Sequence, residues 1–164
     1  MFSLPLEEAV FDEMSPDRIE GGPVRNGFLY WSQLRGTRPY PAREDLQPQA
    51  LKPLLRHLVL IKVLDGAEDF HMSIVGDDVQ RAYNVPMNNR RLSEIVKEAP
   101  GVMRGWRDRY RRVALSGEPL FFRVRAGFEG VANFIHREAV VLPLGNGSVS
   151  HVITFGKHEL KPGT

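Results

Sequence analysis

The order in which strand and helix signals arrive is the strongest constraint on what this sequence can fold into. Residues 57–64 are nearly continuous in Leu, Val and Ile, the pattern of a strand buried on both faces. Asp65-Gly66 supplies a turn, and Phe70, Met72 and Ile74 then alternate with His71, Ser73 and Val75 in a second strand. The next strand signals come only near the C-terminus, over residues 119–126 and 133–144 and in the alternation of Val149, His151, Ile153 and Phe155. Gly145-Asn146-Gly147-Ser148 joins the last two as a tight hairpin. Between the second and third strands the pattern is helical. A short helix capped by Asp77 or Asp78 runs through Tyr83, and a second covers 92–98. The third, 101–116, places Val102, Met103, Trp106, Tyr110, Val113 and Ala114 on one arc. Two strands, a helical stretch and three strands contain no βαβ alternation. The predicted class is therefore α+β, a five-stranded antiparallel sheet with helices over one face.

The remainder of the chain is arranged around that core. The length of 164 residues fits one domain with a sizeable core. Residues 1–23 hold six acidic residues against Arg18 alone and are broken by Ser15-Pro16 and Gly21-Gly22-Pro23, so a loosely ordered acidic tail is expected. Residues 24–36 read as an N-terminal flanking helix with Phe28, Trp31 and Leu34 near one face. A short helix over 46–56 follows the extended segment at Pro39 and Pro41, with Pro53 working against its last turn. The domain is expected over 24–157, and 158–164 as a C-terminal tail.

Composition removes several kinds of chemistry. The chain has no cysteine, which excludes disulfides, thiolate catalysis, Cys-ligated zinc and iron–sulfur clusters. The N-terminus lacks a basic stretch followed by an apolar one, and the longest apolar runs are far too short to span a bilayer, so a cytoplasmic protein is expected. His57, His71, His136, His151 and His158 form no His-x-x-x-His or Glu-x-x-His pair on a helix, so no metal site is expected, and surface or hydrogen-bonded histidines are the simpler reading. No Gly-x-Ser-x-Gly supports a nucleophile, and no catalytic residue is assigned. Arg104, Arg107, Arg109, Arg111 and Arg112 against Asp108 could form a phosphate-binding stripe on the helix at 101–116. The simpler reading is the solvated face of an amphipathic helix, neutralised in part by the acidic lead. A nucleic-acid adaptor using that face, and a small α+β enzyme with a pocket histidine and carboxylate, stay open as alternatives.

A set of residues carries a resemblance. It runs Tyr30-Trp31, Leu34-Arg35-Gly36, Pro39, Pro41, Arg43 and Asp45, then Pro48, Leu54-Leu55 and His57-Leu58. Asp69-Phe70, Ile74-Val75-Gly76 and Leu142-Pro143-Leu144 complete it. Over about residues 25–157 the chain resembles a bacterial stand-alone PAS-domain family. Met72-Ser73 departs from the aromatic-Arg that this family tends to carry in its second strand. The resemblance implies a PAS fold and a sensory or protein-interaction role without catalysis, with the output on a partner protein and a small ligand possible. It also implies a weak homodimer held through the flanking helix. In a PAS-like fold the short helices lie over the concave face of the sheet. That placement makes Tyr83, Trp106 and Tyr110 the expected ligand contacts, because each joins a ring to a hydrogen-bonding group. The simpler alternative is that these rings only fill the core. Haem is not expected, because the helix at 101–116 holds no histidine, and a covalent flavin adduct would need a cysteine. The purified protein is accordingly expected to show no absorbance above the protein band; a stoichiometric Soret or flavin spectrum would contradict this reading.

Overall fold

The computed structural model describes residues 10–125 and 134–160. One mixed-length antiparallel sheet holds seven strands: β1 (Val10–Glu13), β2 (Leu58–Leu64), β3 (Asp69–Val75), β4 (Arg90–Arg91), β5 (Leu120–Arg125), β6 (Phe134–Asn146) and β7 (Ser148–Leu160). Their order across the sheet is β1-β5-β6-β7-β2-β3-β4, and every pairing is antiparallel. The helices are α1 (Pro23–Arg35), α2 (Pro48–Leu51), α3 (Asp77–Ala82), α4 (Leu92–Glu98) and α5 (Pro100–Ser116). A 3₁₀ segment, Lys52–His57, continues from α2. The expected helix over 46–56 thus divides at Pro53, whose ring and missing N–H prevent a further α-turn.

The α+β class and the antiparallel sheet agree with the sequence pattern, and the five expected strands are all present. The count of five is corrected to seven. β4 is only two residues long, and β1 carries the run Val-Phe-Asp-Glu, in which no apolar alternation is visible. Residues 10–13, expected in the tail, pair with β5 from Val10↔Arg125 to Glu13↔Phe122. Phe11 then packs edge-on against Trp106, with ring centroids 5.7 Å apart at 84°. Arg112 of α5 pairs with Glu13, so the acidic lead does neutralise part of the arginine stripe. At the other end, β7 runs through Leu160, into the expected C-terminal tail.

A second correction concerns the faces of the sheet. Helices were expected on one face only, but both faces are covered. β6 and β7 are 13 residues each and carry buried residues on both parities. Ala139, Val141 and Val152 face one core, beneath α3, α4 and α5. Val140, Leu142, Leu144, Ile153 and Phe155 face the other. A sheet apolar on both sides is stable only when each side is shielded from water. α1 therefore lies across β6 and β7 on the second face, and the Lys52–His57 segment lies beside it over β7.

This placement occupies the stripe on which the expected homodimer rested. Trp31 is 1% exposed and its Nε1–H donates to the Pro143 carbonyl at 2.9 Å. Phe28 stacks on Trp31 and meets Phe121 edge-on at 4.8 Å, and Leu34 packs into the same core. Gly27 admits the close approach, because a Cβ there would sit 2.3 Å from the Phe155 ring. The flanking helix is thus a lid on its own sheet, and a dimer would need some other surface.

Several residues of the family pattern hold this arrangement together. Tyr30 Oη accepts the Gln47 N–H at 2.9 Å, fixing α1 against the start of α2. Asp45 accepts the Ala42 N–H and pairs with Arg38 at 2.9 Å. Asp69 accepts from the Phe70 N–H, from the N–H and hydroxyl of Ser93, and from Arg91. Burial alone would raise its pKa, but those bonds outweigh it and hold the carboxyl below its ordinary value. Asp69 thereby ties β3 to the first turn of α4. The β3 edge is closed by Asn88 and Asn89, which bond the Val75 N–H and the Met72 carbonyl.

Because the α1 stripe is internal, Trp31→Ala is expected to lower unfolding free energy by about 3–5 kcal/mol in urea denaturation. Leu29→Ala, on the exposed face of the same helix, is expected to stay within about 0.5 kcal/mol of the parent.

Candidate functional site

Two of the elements over the first face, α3 and α5, converge on one buried polar cluster. Tyr83 is the residue that ends α3, its backbone N–H bonded to the Gln80 carbonyl. Trp106 and Tyr110 are one helical turn apart on α5 and so share a face. The structure brings the three together: Trp106 Nε1–H donates to Tyr83 Oη at 2.9 Å, and the Trp106 and Tyr110 rings lie 5.6 Å apart. All three are buried. Around them Phe122 packs against Trp106 at 5.1 Å and Phe70 meets Tyr110 edge-on at 5.8 Å.

A fourth side chain completes the cluster, and the sequence reading did not single it out. Arg137 of β6 is 1% exposed. It alternates with Ala139 and Val141, which belong to the same core. Its Nη1 donates to Tyr83 Oη at 3.3 Å, and its guanidinium carbon lies 4.3 Å from the centre of the Trp106 ring. Gly156 of β7 makes the room: a Cβ there would lie 2.3 Å from Arg137 Nη2 and 2.4 Å from Nε. Nε and Nη2 are both buried, and neither has a hydrogen-bond partner among the described residues. The neighbouring Glu138 belongs to the opposite parity of the strand and meets Arg123 at 3.5 Å. The available signal was a charged residue within a strand that is otherwise apolar. It was unreadable because His136, Arg137 and Glu138 are polar in succession, which conceals which parity faces the core.

Burial sets the protonation states here. It pushes both Tyr83 and Tyr110 above the ordinary phenol range, against the opposing pull of Arg137 and of their hydrogen bonds. Both are neutral hydroxyls, able to donate and accept. The Thr154 hydroxyl lies beside Tyr110. His158 is opposite Arg137 in the β6–β7 pairing, and its ring meets Tyr83 edge-on at 6.1 Å. Burial first, then the positive charge of Arg137 and of His57, holds His158 well below the ordinary imidazole value, so it is neutral. Among the described residues the cluster is therefore apolar and aromatic, with one guanidinium, neutral hydroxyls and no acid–base pair.

A concavity lies on the other face. It has a volume of about 200 Å³ and is lined by Leu46, Pro48, Leu51, Leu55, Leu60 and Ile74 among others, with Arg43 and Lys52 at its margin. Leu55 and Ile74 are 48% and 38% exposed there. The arginine stripe of α5 is partly committed elsewhere: Arg111 pairs with Glu68 at 2.7 Å, Arg112 with Glu13, and Arg109 lies 4.2 Å from the centre of the Phe11 ring. Among the described residues no group of three or more His, Asp or Glu could hold a metal ion, and no helix is long and apolar enough to cross a membrane.

The family comparison agrees with this architecture. A family model described as PAS domain matches residues 22–157, most of the chain. The chain belongs to the PAS domain family. PAS domains are sensory and interaction modules, and this one places its aromatic cluster between the sheet and the α3–α5 helices. No curated protein matches the sequence.

His158, half-buried and with its pKa held low, is expected to make the PAS domain acid-sensitive. An unfolded chain takes up protons near pH 6.5, whereas His158 in the folded chain does not until well below it. Stability is therefore full above that pH and falls as pH drops through it. Thermal unfolding followed by circular dichroism is expected to give a lower midpoint at about pH 5.5 than at about pH 7.5. His158→Phe is expected to remove part of that slope; His57 and His151, also held low by burial, account for the rest.

Proposed function

We propose that this PAS domain is a sensory module that holds a small ligand against Tyr83, Trp106 and Tyr110, and that a partner protein carries its output. The observation that carries the reading is the convergence of three buried rings with hydrogen-bonding groups, joined by the 2.9 Å bond from Trp106 to Tyr83. A core that served packing alone would be filled at least cost by aliphatic side chains, since each buried polar group must find a partner. Small-ligand sites combine an apolar aromatic lining with a few fixed polar groups, which is the composition found here. The partner half of the reading draws support from the groove at Leu55 and Ile74, whose exposed apolar side chains are bordered by Arg43 and Lys52. The family's sensory and interaction role favours this reading over an enzyme, as does the absence of an acid–base pair in the cluster. The arginine pairings on α5 weigh against a nucleic-acid adaptor.

Native mass spectrometry of freshly purified protein tests it by reporting retained ligand and oligomeric mass together. A small molecule that leaves on denaturation is expected. Trp106→Ala is expected to reduce the liganded fraction while leaving the oligomeric mass unchanged. Full retention in Trp106→Ala, with a changed oligomeric mass, would move the site to an interface.

A further inference from the structure

The second face of the sheet is covered by α1 across β6 and β7, and toward its β2–β3 end it carries the concavity of about 200 Å³. Leu58, Leu60 and Ile153 line its floor, with Leu51 and Leu55 from the α2 side and Ile74 from β3. A β-bulge puts Ile74 there. Leu60 pairs with Ile74 and Ile61 with Met72, so Ser73 has no partner across the ladder. In an unbroken strand Ile74 would share the face of Phe70 and Met72, which belong to the first core. The bulge turns it instead to the face of Leu60, where it and Leu55 remain exposed. Past these two side chains the groove continues into a hollow of about 310 Å³ that shares Lys52, Leu55 and Ile74 with the first. Two large apolar side chains thus stand in water between two hollows, a relief that receives protruding apolar side chains of another molecule.

Charge and backbone narrow down that molecule. Arg43 and Lys52 line the first hollow, no described carboxylate does, and neither cation is in an ion pair among the described residues. Lys62, opposite His151 in the β2–β7 pairing, adds positive charge nearby: it and Arg43 both bear on His151, with Glu44 opposing them. At the far hollow Asp77 is present and Arg56 pairs with Asp78 at 3.1 Å, so the positive excess belongs to the Arg43–Lys52 end. The β3 edge is closed to an incoming strand, because β4 pairs with His71 and Met72 and Asn88 accepts the Val75 N–H at 3.1 Å. Binding must then run through side chains, as it does for an amphipathic helix in a groove. We propose that this groove docks an amphipathic helix of a partner protein, its apolar side chains entering the two hollows and its acidic residues lying beside Arg43 and Lys52. This rests on the reading that a partner protein carries the output, and it gives that partner a chemistry. A concave surface suits the protruding side chains of a helix better than the plane of a lipid surface.

Three synthetic peptides are the probes: a helix with a leucine stripe and glutamates on its other face, the same helix with lysines for glutamates, and the acidic composition scrambled so that no stripe forms. Binding to the full chain is read by anisotropy of the labelled peptide, and its place by methyl NMR shifts of leucine and isoleucine. The acidic amphipathic peptide is expected to bind saturably, about tenfold or more tighter than either control, and more weakly as salt is raised. Its shifts are expected at Leu55 and Ile74. Ile74→Glu, at an exposed position, is expected to weaken it by roughly tenfold or more. Arg43→Glu combined with Lys52→Glu is expected to reverse the preference toward the lysine peptide, a result that misfolding could not produce. Equal binding of the acidic and lysine peptides, binding of none, or an Ile74→Glu variant that binds like the parent would each overturn the proposal. A sedimenting dimer that Ile74→Glu converts to monomer would assign the groove to a second copy and overturn it. So would phosphatidylglycerol vesicles bound through Arg43 and Lys52 by a chain that ignores the acidic peptide. Native mass spectra of the same samples keep the two readings apart. A retained small molecule without peptide binding leaves the sensory reading standing and removes the groove; peptide binding without a retained molecule leaves the groove standing and removes the ligand.

Discussion

The β6–β7 hairpin is apolar on both parities, and the rest of the molecule is arranged to keep both of its faces dry. One face sends Ala139, Val141 and Val152 into a core closed by α3, α4 and α5, and the other sends Val140, Leu142, Ile153 and Phe155 into a core closed by α1. Each cover is fixed by specific groups. The Trp31 indole bonds to the Pro143 carbonyl on one side, and the Asp69 carboxylate anchors the start of α4 on the other. The family pattern that runs through Tyr30, Trp31, Asp45, Asp69 and Pro143 is consequently a record of how the covers attach. Its residues hold the fold, and the pattern identifies a PAS domain without naming a ligand.

Within the first core, polar groups are concentrated in one place. Burial makes every member neutral except Arg137, so Tyr83 and Tyr110 remain hydroxyls and His158 remains an uncharged ring. Recognition needs fixed donors in a low-dielectric surrounding, and the cluster offers those. The same physics separates this core from an ordinary packed one. Aliphatic side chains would fill the volume without the desolvation that a buried guanidinium entails.

The N-terminal segment shows how charge can hide structure. Six acidic residues and two Pro/Gly breaks give residues 1–23 the composition of a tail. Yet Phe11 reaches Trp106, and Glu13 meets Arg112 on α5. The strand forms because β5 offers an open edge and α5 offers cations. Both belong to residues about a hundred positions further along the chain, outside any local window.

Local pattern and chemistry carried the class, the five principal strands, the turn at Gly145–Ser148, the long amphipathic helix and the three aromatic site candidates. These depend on periodicity, turn residues and ring chemistry, which neighbouring residues express directly. The sequence by itself therefore determined an antiparallel PAS-like sheet, and with it the excluded cysteine chemistry. Tertiary structure alone decided that α1 covers its own sheet, because Phe28, Trp31 and Leu34 are equally suited to a partner and only the exposed second face of β6 and β7 selects between them. It alone placed Arg137 in the core as well, because three successive polar residues conceal strand parity, and Gly156, the residue that makes room, is brought there only by the pairing of β6 with β7.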